Sequence, residues 1–176
     1  GPPLHESYEK FYSFSREQAM QAVSYYREYY EEKGMFENEV YPGIKQLLRD
    51  LIKQGVLCLV ATSKPEIYAK KILDYYELSN YFYYIAGANM DGTRTDKAEV
   101  IAYALKQIPA EYSNKKVLMV GDRSHDIIGA KKNGIDCAGV LFGYGSREEL
   151  EEAGADFVAD SVEAVRNIVF LNAAKN

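Results

Sequence analysis

From residue 41 onward, short apolar segments alternate with segments of helical periodicity, and this alternation restricts the fold more than any other feature. The apolar segments at residues 56–61, 83–86, 117–120, 137–140 and 157–159 have the length of strands. The segments between them carry apolar residues on one face, as Ile44, Leu47, Leu48 and Leu51 do. We therefore predict an α/β fold in which a parallel sheet is flanked by helices through right-handed crossovers.

The first forty residues differ from the rest, because they are rich in tyrosine and have helical spacing. Ser15 and Gln18 have the spacing of a capping box, and Gly34 is suited to end the helix that follows. Tyr26 and Tyr30 lie one helical turn apart. We interpret these tyrosines as the packing surface of amphipathic helices rather than as a stacking platform for a ligand.

The composition is that of a globular protein and excludes several classes. Of the 176 residues, 47% are hydrophobic and 27% are charged, which excludes a disordered chain and favours one domain with a small attachment. The net charge of −5 argues against nucleic acid as a partner. We expect no membrane partner, since no segment resembles a membrane span or a signal peptide. Cys58 and Cys137 lie in apolar segments, so we interpret them as buried thiols of a cytoplasmic protein.

Polar side chains follow two of the predicted strands at the edge where parallel sheets bind ligands. The first strand is followed by Thr62, Ser63 and Lys64, and residues 117–120 are followed by Asp122, Arg123, Ser124 and Asp126. Lys97 begins a helix between these two strands. Carboxylates bind Mg²⁺, while lysines and helix N-termini neutralise phosphoryl oxygens, so the set predicts a site for a divalent cation and a phosphate.

Each of these residues also has a simpler interpretation. Asp122 and Thr62 are of the type that caps helices, and a lone Lys97 is more often solvated. Asp126 lies four residues beyond Asp122, and two neighbouring carboxylates repel each other unless a cation lies between them. The hypothesis therefore depends on the joint position of these residues at strand ends.

Two other patterns carry little weight. The segment 143–145 (Gly-Tyr-Gly) lacks the third glycine of a dinucleotide-binding loop and is followed by acidic residues. His5 and His125 are too few and too far apart in sequence for a histidine-based site.

Three motifs occur in the order found in the haloacid dehalogenase (HAD) superfamily. The segment 120–126 (Val-Gly-Asp-Arg-Ser-His-Asp) resembles the fourth motif of that superfamily, the turn 62–65 (Thr-Ser-Lys-Pro) resembles the second, and Lys97 resembles the third. The segment 139–146 and the residues that follow it are similar to phosphoglycolate phosphatase-like members. The resemblance covers essentially the whole chain and implies a Rossmann-like core, residues 41–176, behind a partial helical cap, residues 1–40.

The resemblance implies hydrolysis of a small phosphomonoester, phosphoglycolate-like in type, through an aspartyl-phosphate. Asp122 would hold Mg²⁺, with Asp126 supporting the ion directly or through water. Thr62 would hydrogen-bond the phosphoryl oxygens together with Ser63 and Lys64, and Lys97 would stabilise the charge of the nucleophile and the phosphate. Because phosphoryl transfer depends mainly on positioning and charge neutralisation, the chemistry agrees with this set.

One motif of the superfamily is missing. The first motif, Asp-x-Asp-Gly-Thr after a strand that precedes the cap, supplies the nucleophile. The segment 89–93 (Asn-Met-Asp-Gly-Thr) imitates it, but it lies between the second and third motifs and offers a neutral amide, which cannot form an acyl-phosphate. We interpret this segment as a turn. We expect the chain alone to be inactive; a non-catalytic protein that binds phosphate, metal or a partner, and a mutase or phosphonatase relative, are the alternatives.

The missing strand is central in the superfamily and would lie between the first strand of this chain and residues 117–120. Without it, both neighbours would have unpaired backbone groups. We expect either a longer gene product or another segment in this position; one hypothesis is a homo-oligomer in which a second copy supplies a swapped strand or helix.

Overall fold

The computed structural model describes residues 4–173, which fall into two compact units. The first unit covers residues up to Glu39 and the second begins at Val40. The roles of cap for the first forty residues and of core for the remainder stay predictions. Residues 1–3, part of the segment that resembles a cap, lie outside the described residues.

The first unit is a pair of helices, α1 (Leu4–Tyr12) and α2 (Arg16–Glu32), followed by a 3₁₀ turn. The predicted capping box is confirmed: the Ser15 backbone N–H donates to Gln18 Oε1 at 2.9 Å, and the Gln18 N–H donates to Ser15 Oγ at 3.2 Å. Ala19 and Met35 of this unit are fully buried. The helix ends before Gly34, as predicted.

The second unit alternates helices and strands, which confirms the predicted α/β class. Its elements are α3 (Ile44–Lys53), β1 (Leu59–Pro65), α4 (Glu66–Tyr75), β2 (Tyr84–Ala88), α5 (Lys97–Leu105), β3 (Leu118–Gly121), α6 (Ser124–Lys132), β4 (Asp136–Val140), α7 (Arg147–Glu152), β5 (Phe157–Ala159) and α8 (Val162–Ala173). Local signals set several helix starts, since Asp96 caps α5 and Ser146 caps α7 through their side-chain oxygens.

Strand β1 differs from the prediction in position. It was expected at residues 56–61, but its pairing with β2 begins at Leu59, opposite Tyr84, and the strand continues to Pro65. Apolar periodicity does not report where a partner strand begins, so the prediction started too early. Its residues are half-buried or exposed.

The strands form two parallel sheets rather than one. The first has the order β1–β2 and the second the order β3–β4–β5. Within residues 4–173, β1 and β3 are edge strands of different sheets. Both are half-buried, and Val120 of β3 is 39% exposed, whereas most residues of β2 and β4 are buried. That a further strand lies between these two half-covered edges stays a prediction.

Helices α5 and α6 join the two sheets on one side. Gly129 of α6 lies so close to α5 that a Cβ there would come within 3.2 Å of Lys97, Ile101 and Ala98 atoms. The Asn133 amide of the loop after α6 donates to Ala98 O at 3.0 Å. This packing places the start of α5 beside the start of α6, where the predicted site residues lie.

The cysteines were predicted to be buried thiols. Both cysteines are free thiols, and burial raises their pKa above the ordinary value; Cys137 is fully buried and Cys58 is half-buried. In the described part of the chain, no helix has both the length and the apolar character that a bilayer crossing requires. The cytoplasmic location stays a prediction.

Candidate active site

Lys97 contacts both β1 of the first sheet and the helix that follows β3 of the second. It is the first residue of α5, directly after the capping residue Asp96. Its ammonium donates to Ala61 O of β1 at 3.1 Å and lies 2.9 Å from Asp126 Oδ1 at the start of α6. The side chain is only 16% exposed, so solvent screens this ion pair weakly. One cation therefore holds β1, at the residue before Thr62, beside the segment that follows β3.

Asp126 organises the segment after β3. It is the buried acidic residue of this unit, with 6% of the whole residue exposed, and its Oδ2 accepts the backbone N–H groups of Asp122 and Arg123, both at 3.1 Å. A side chain at Gly121 would collide with Asp126, so the glycine allows the carboxylate to approach the turn. Each carboxylate oxygen of Asp126 thus already has a partner within the protein.

Asp122 is held by the loop between β4 and α7. Its Oδ2 accepts the Tyr144 backbone N–H at 2.9 Å, and its carbonyl oxygen accepts the Gly145 N–H, also at 2.9 Å. A Cβ at Gly143 or at Gly145 would collide with Asp122 atoms. The Gly-Tyr-Gly segment, set aside above as a weak dinucleotide motif, therefore supports this aspartate.

Glu149 of α7 fixes the same turn from outside. Its Oε1 accepts the Ser124 backbone N–H at 2.8 Å and the Arg123 Nε–H at 2.9 Å. These hydrogen bonds, the Ser124 backbone donor first, lower the pKa of Glu149 to about 2. The paired carboxylate in turn raises the pKa of Arg123. A charged carboxylate at the N-terminus of α6 also favours that helix through its dipole.

The second-motif residues lie within β1 rather than after it. Thr62 Oγ1 accepts the Lys64 backbone N–H at 3.2 Å, which leaves the hydroxyl proton to be donated elsewhere. Thr62 and Lys64 are half-buried and Ser63 is exposed. Ala61, whose carbonyl oxygen accepts the Lys97 ammonium, directly precedes Thr62, so Lys97 contacts β1 one residue before Thr62.

The donor set fits a metal ion in part. Among residues 4–173, no cluster of three or more histidine, cysteine or acidic side chains could hold a cation. Asp122 keeps its Oδ1 without a hydrogen-bond partner in that part of the chain, and its side chain is half-buried. This oxygen suits one coordination position of Mg²⁺, which usually takes only one or two protein carboxylates. Asp126, with both oxygens engaged, suits a supporting position; both metal assignments stay predictions.

Comparison with known proteins identifies the family. The family model "Haloacid dehalogenase-like hydrolase" matches residues 1–140. The chain belongs to the haloacid dehalogenase-like hydrolases. The motif-based resemblance predicted above is thereby confirmed, and the chain is of hydrolase type.

Relatives within this family carry several activities. The chain is 38% identical to a 5'-nucleotidase of Pseudomonas aeruginosa over 96% of its length and 76% of that protein. It is 39% identical to the tyrosine-protein kinase PtkA of Mycobacterium tuberculosis over 90% of its length, but spans only 53% of that kinase. It is 27% identical to a phosphoglycolate phosphatase of Vibrio cholerae over 90% of its length and 70% of that enzyme.

A solved structure supports the fold assignment. A candidate phosphatase from Clostridium difficile, 49% identical, superposes with a TM-score of 0.89 over 96% of this chain and 78% of that one. The parallel sheets with flanking helices are therefore those of a HAD-like hydrolase.

Sequence reasoning missed two parts of this HAD-like site. Ser146 and Glu149 have capping spacing, but the Glu149 carboxylate binds residues 25 and 26 positions earlier, a contact that no local pattern signals. The support of Asp122 by the Tyr144 backbone was also missed. The glycines at 143 and 145 were the sequence signal for this contact, because they allow the loop to approach Asp122 closely.

Proposed function

We propose that this chain is the larger part of a Mg²⁺-dependent phosphatase that hydrolyses a small phosphomonoester through an aspartyl-phosphate. The observation that carries the proposal is the position of Lys97, whose ammonium contacts β1 beside Thr62 and also contacts Asp126 beside Asp122. A cation, a hydroxyl donor on β1 and a carboxylate after β3 form, apart from the nucleophile, a set suited to phosphoryl transfer.

Each side chain has a role set by its contacts. Thr62, whose oxygen already accepts a hydrogen bond, donates its proton to a phosphoryl oxygen, with Ser63 and Lys64 beside it on the strand. Lys97 neutralises charge that develops on the phosphoryl group. Asp122 offers its Oδ1 to Mg²⁺, and Asp126 keeps the turn and the Lys97 ammonium in place. Bound Mg²⁺ would supply charge neutralisation of the phosphate.

The nucleophile requires a further strand. The 176 residues contain no Asp-x-Asp sequence. Residues 89–93 form a closed turn, since the Gly92 N–H donates to Asn89 O at 3.2 Å and Asp91 Oδ1 accepts the Thr93 N–H at 2.9 Å. We propose that a strand from outside these residues pairs with β1 and β3 and presents the aspartate beside Lys97. A second copy is the rival source of this strand, and a well-folded monomer in sedimentation would exclude it.

The names of two relatives support the proposed substrate class. The names of two relatives, a 5'-nucleotidase and a phosphoglycolate phosphatase, both describe phosphomonoester hydrolysis. We propose a small phosphorylated metabolite as the substrate, phosphoglycolate-like in type.

Binding of inorganic phosphate in the presence of Mg²⁺, measured by calorimetry, tests the site itself. Thr62→Val removes the donor while keeping the side-chain shape, and we expect the affinity to fall about tenfold, the value of a hydrogen bond to a charged group. Lys45→Met removes an exposed lysine elsewhere in the unit and should leave the affinity unchanged. Equal affinity of the wild type and Thr62→Val would contradict the proposed phosphate site.

Binding without hydrolysis is the second candidate function. It is favoured by the hydrogen bonds that already engage both oxygens of Asp126 and one oxygen of Asp122, because such a turn is stable without a metal. Mg²⁺ binding by calorimetry, with no hydrolysis even when a nucleophile strand is supplied, would support this candidate instead.

A further inference from the structure

A pocket opens near the strand that carries Thr62. It has a volume of about 290 Å³ and lies between the start of α4 and the loop that follows β2. Glu66, the first residue of α4, follows the same strand that carries Thr62. Gly87 of β2 packs against the backbone of residues 64–66, so the pocket and the second-motif strand share one wall. None of the roles proposed above uses this pocket.

Arg94 is held rigidly at the pocket. Its Nε donates to Gly87 O at 2.7 Å, and its guanidinium lies 3.7 Å from the centre of the Tyr103 ring. The Tyr103 hydroxyl is in turn 2.8 Å from the Tyr84 hydroxyl, which fixes the ring. Arg94 also has a φ of 54°, in the left-handed region that is uncommon for a non-glycine residue. The guanidinium is therefore pre-organised, which lowers the entropy cost of binding a ligand.

The charges of the pocket do not cancel. Glu66 is the acidic residue among its lining side chains, and this single carboxylate lies 2.6 Å from Lys70 Nζ and 3.5 Å from an Arg94 nitrogen. Among the lining side chains, two cations and one anion leave one positive charge in excess; Asp91 of the adjoining turn, an exposed carboxylate that Arg94 also attracts, lies outside the lining. Ile67 and Met90, each about half exposed, add an apolar rim. This combination suits a ligand with an anionic group on a short carbon skeleton.

We propose that this pocket binds a second anionic group on the organic part of the substrate, so that the enzyme selects phosphomonoesters that also carry a carboxylate or another phosphate. This inference rests on the proposed function, since it requires the first phosphate to lie beside Thr62 and Lys97. Arg94 is the specificity-determining residue, because its planar fork matches carboxylate and phosphate oxygens. Lys70 adds charge from the exposed face of α4.

A matched pair of ligands tests the pocket. Glycerol 3-phosphate and 3-phosphoglycerate share a three-carbon skeleton and a phosphate, but only the second carries a carboxylate. By calorimetry with Mg²⁺, we expect the wild type to bind 3-phosphoglycerate about tenfold more tightly than glycerol 3-phosphate. One charge-assisted hydrogen bond to the carboxylate would give a preference of this size. Arg94→Gln should abolish this preference while leaving the affinity for glycerol 3-phosphate unchanged. Lys70→Glu, on an exposed helix face, provides the same test if Arg94→Gln does not fold, and Lys45→Gln is the control.

The outcomes separate the two proposals. If the wild type binds both compounds with equal affinity, or if Arg94→Gln and Lys70→Glu keep the preference, the pocket inference is wrong and the phosphate site stands. If neither compound binds, the proposed phosphate site fails, and the substrate role of the pocket fails with it.

Discussion

The Lys97 ammonium lies 2.9 Å from the carboxylate of Asp126. This ion pair joins α5, which follows the sheet of β1 and β2 in the chain, to α6, which follows β3 of the other sheet. Both side chains are largely shielded from water, at 16% and 9% exposure. The same ammonium reaches Ala61 O of β1. The pair therefore has a structural role, because it ties the two sheets together, and a proposed chemical role, because it places a cation at the site.

Removing this cation should destabilise the protein. In Lys97→Met the Asp126 carboxylate would be left buried without its counter-ion, which costs about 2 to 4 kcal/mol for a pair of this burial. Lys45→Met removes an exposed partner of Glu77 and should change the free energy of unfolding by less than about 0.5 kcal/mol. Urea denaturation measures both, and equal stability of the two variants would contradict the role given to Lys97.

The loop that holds Asp122 should not tolerate a side chain at position 143. Gly143→Ala would place a methyl group inside the contact distance of Asp122, and relief of this overlap costs about 1 to 3 kcal/mol. We also expect weaker Mg²⁺ binding, since Asp122 must move. Gly134→Ala is the matched comparison: it has open space but a φ of 66°, so its cost is about 1 kcal/mol from backbone conformation alone, with Mg²⁺ affinity unchanged. Unchanged Mg²⁺ affinity in Gly143→Ala would refute the prediction.

Stability should depend on the ionisation of Glu149 at acid pH. Its pKa is about 2 in the folded protein against an ordinary value of 4.5, so the folded state favours the carboxylate. The stabilisation is therefore complete above about pH 4.5 and is lost as the pH falls towards 2, because the unfolded chain then binds the extra proton.

Glu149→Gln tests this dependence. The difference in urea midpoint between the wild type and Glu149→Gln should be largest at pH 6 and should shrink by pH 3. Glu151→Gln, which alters an exposed i,i+4 pair with Arg147, should keep a small and constant difference. A wild-type advantage over Glu149→Gln that stays constant from pH 6 to pH 3 would argue against a role for ionised Glu149.

Local signals in the sequence were sufficient for much of the fold. Helix caps such as Ser15 and Asp96 act within three residues, and the order of strands and helices follows from periodicity, so these features were predictable. Strand β1 was misplaced because its limits depend on where β2 pairs with it.

The sequence indicated which residues belong to the site but not which contacts they make. Thr62, Lys97, Asp122 and Asp126 stand out as polar residues near strand ends, but their contacts are made across the fold. The Lys97–Ala61 hydrogen bond spans 36 positions and the Ser124–Glu149 bond spans 25. The Arg94 pocket had no sequence signal at all, since it depends on a stacked ring and a left-handed backbone conformation.

Complementation of the chain with a nucleophile strand tests the central claim. The assay is p-nitrophenyl phosphate hydrolysis with Mg²⁺, using the chain alone, the chain with a peptide that contains an apolar strand followed by Asp-x-Asp-Gly-Thr, and the chain with the same peptide carrying Asn at the first aspartate. We predict turnover only with the first peptide, and loss of that turnover in Asp122→Asn. Turnover by the chain alone that is abolished by Asp122→Asn, or no turnover when the aspartate peptide is bound, would contradict the account.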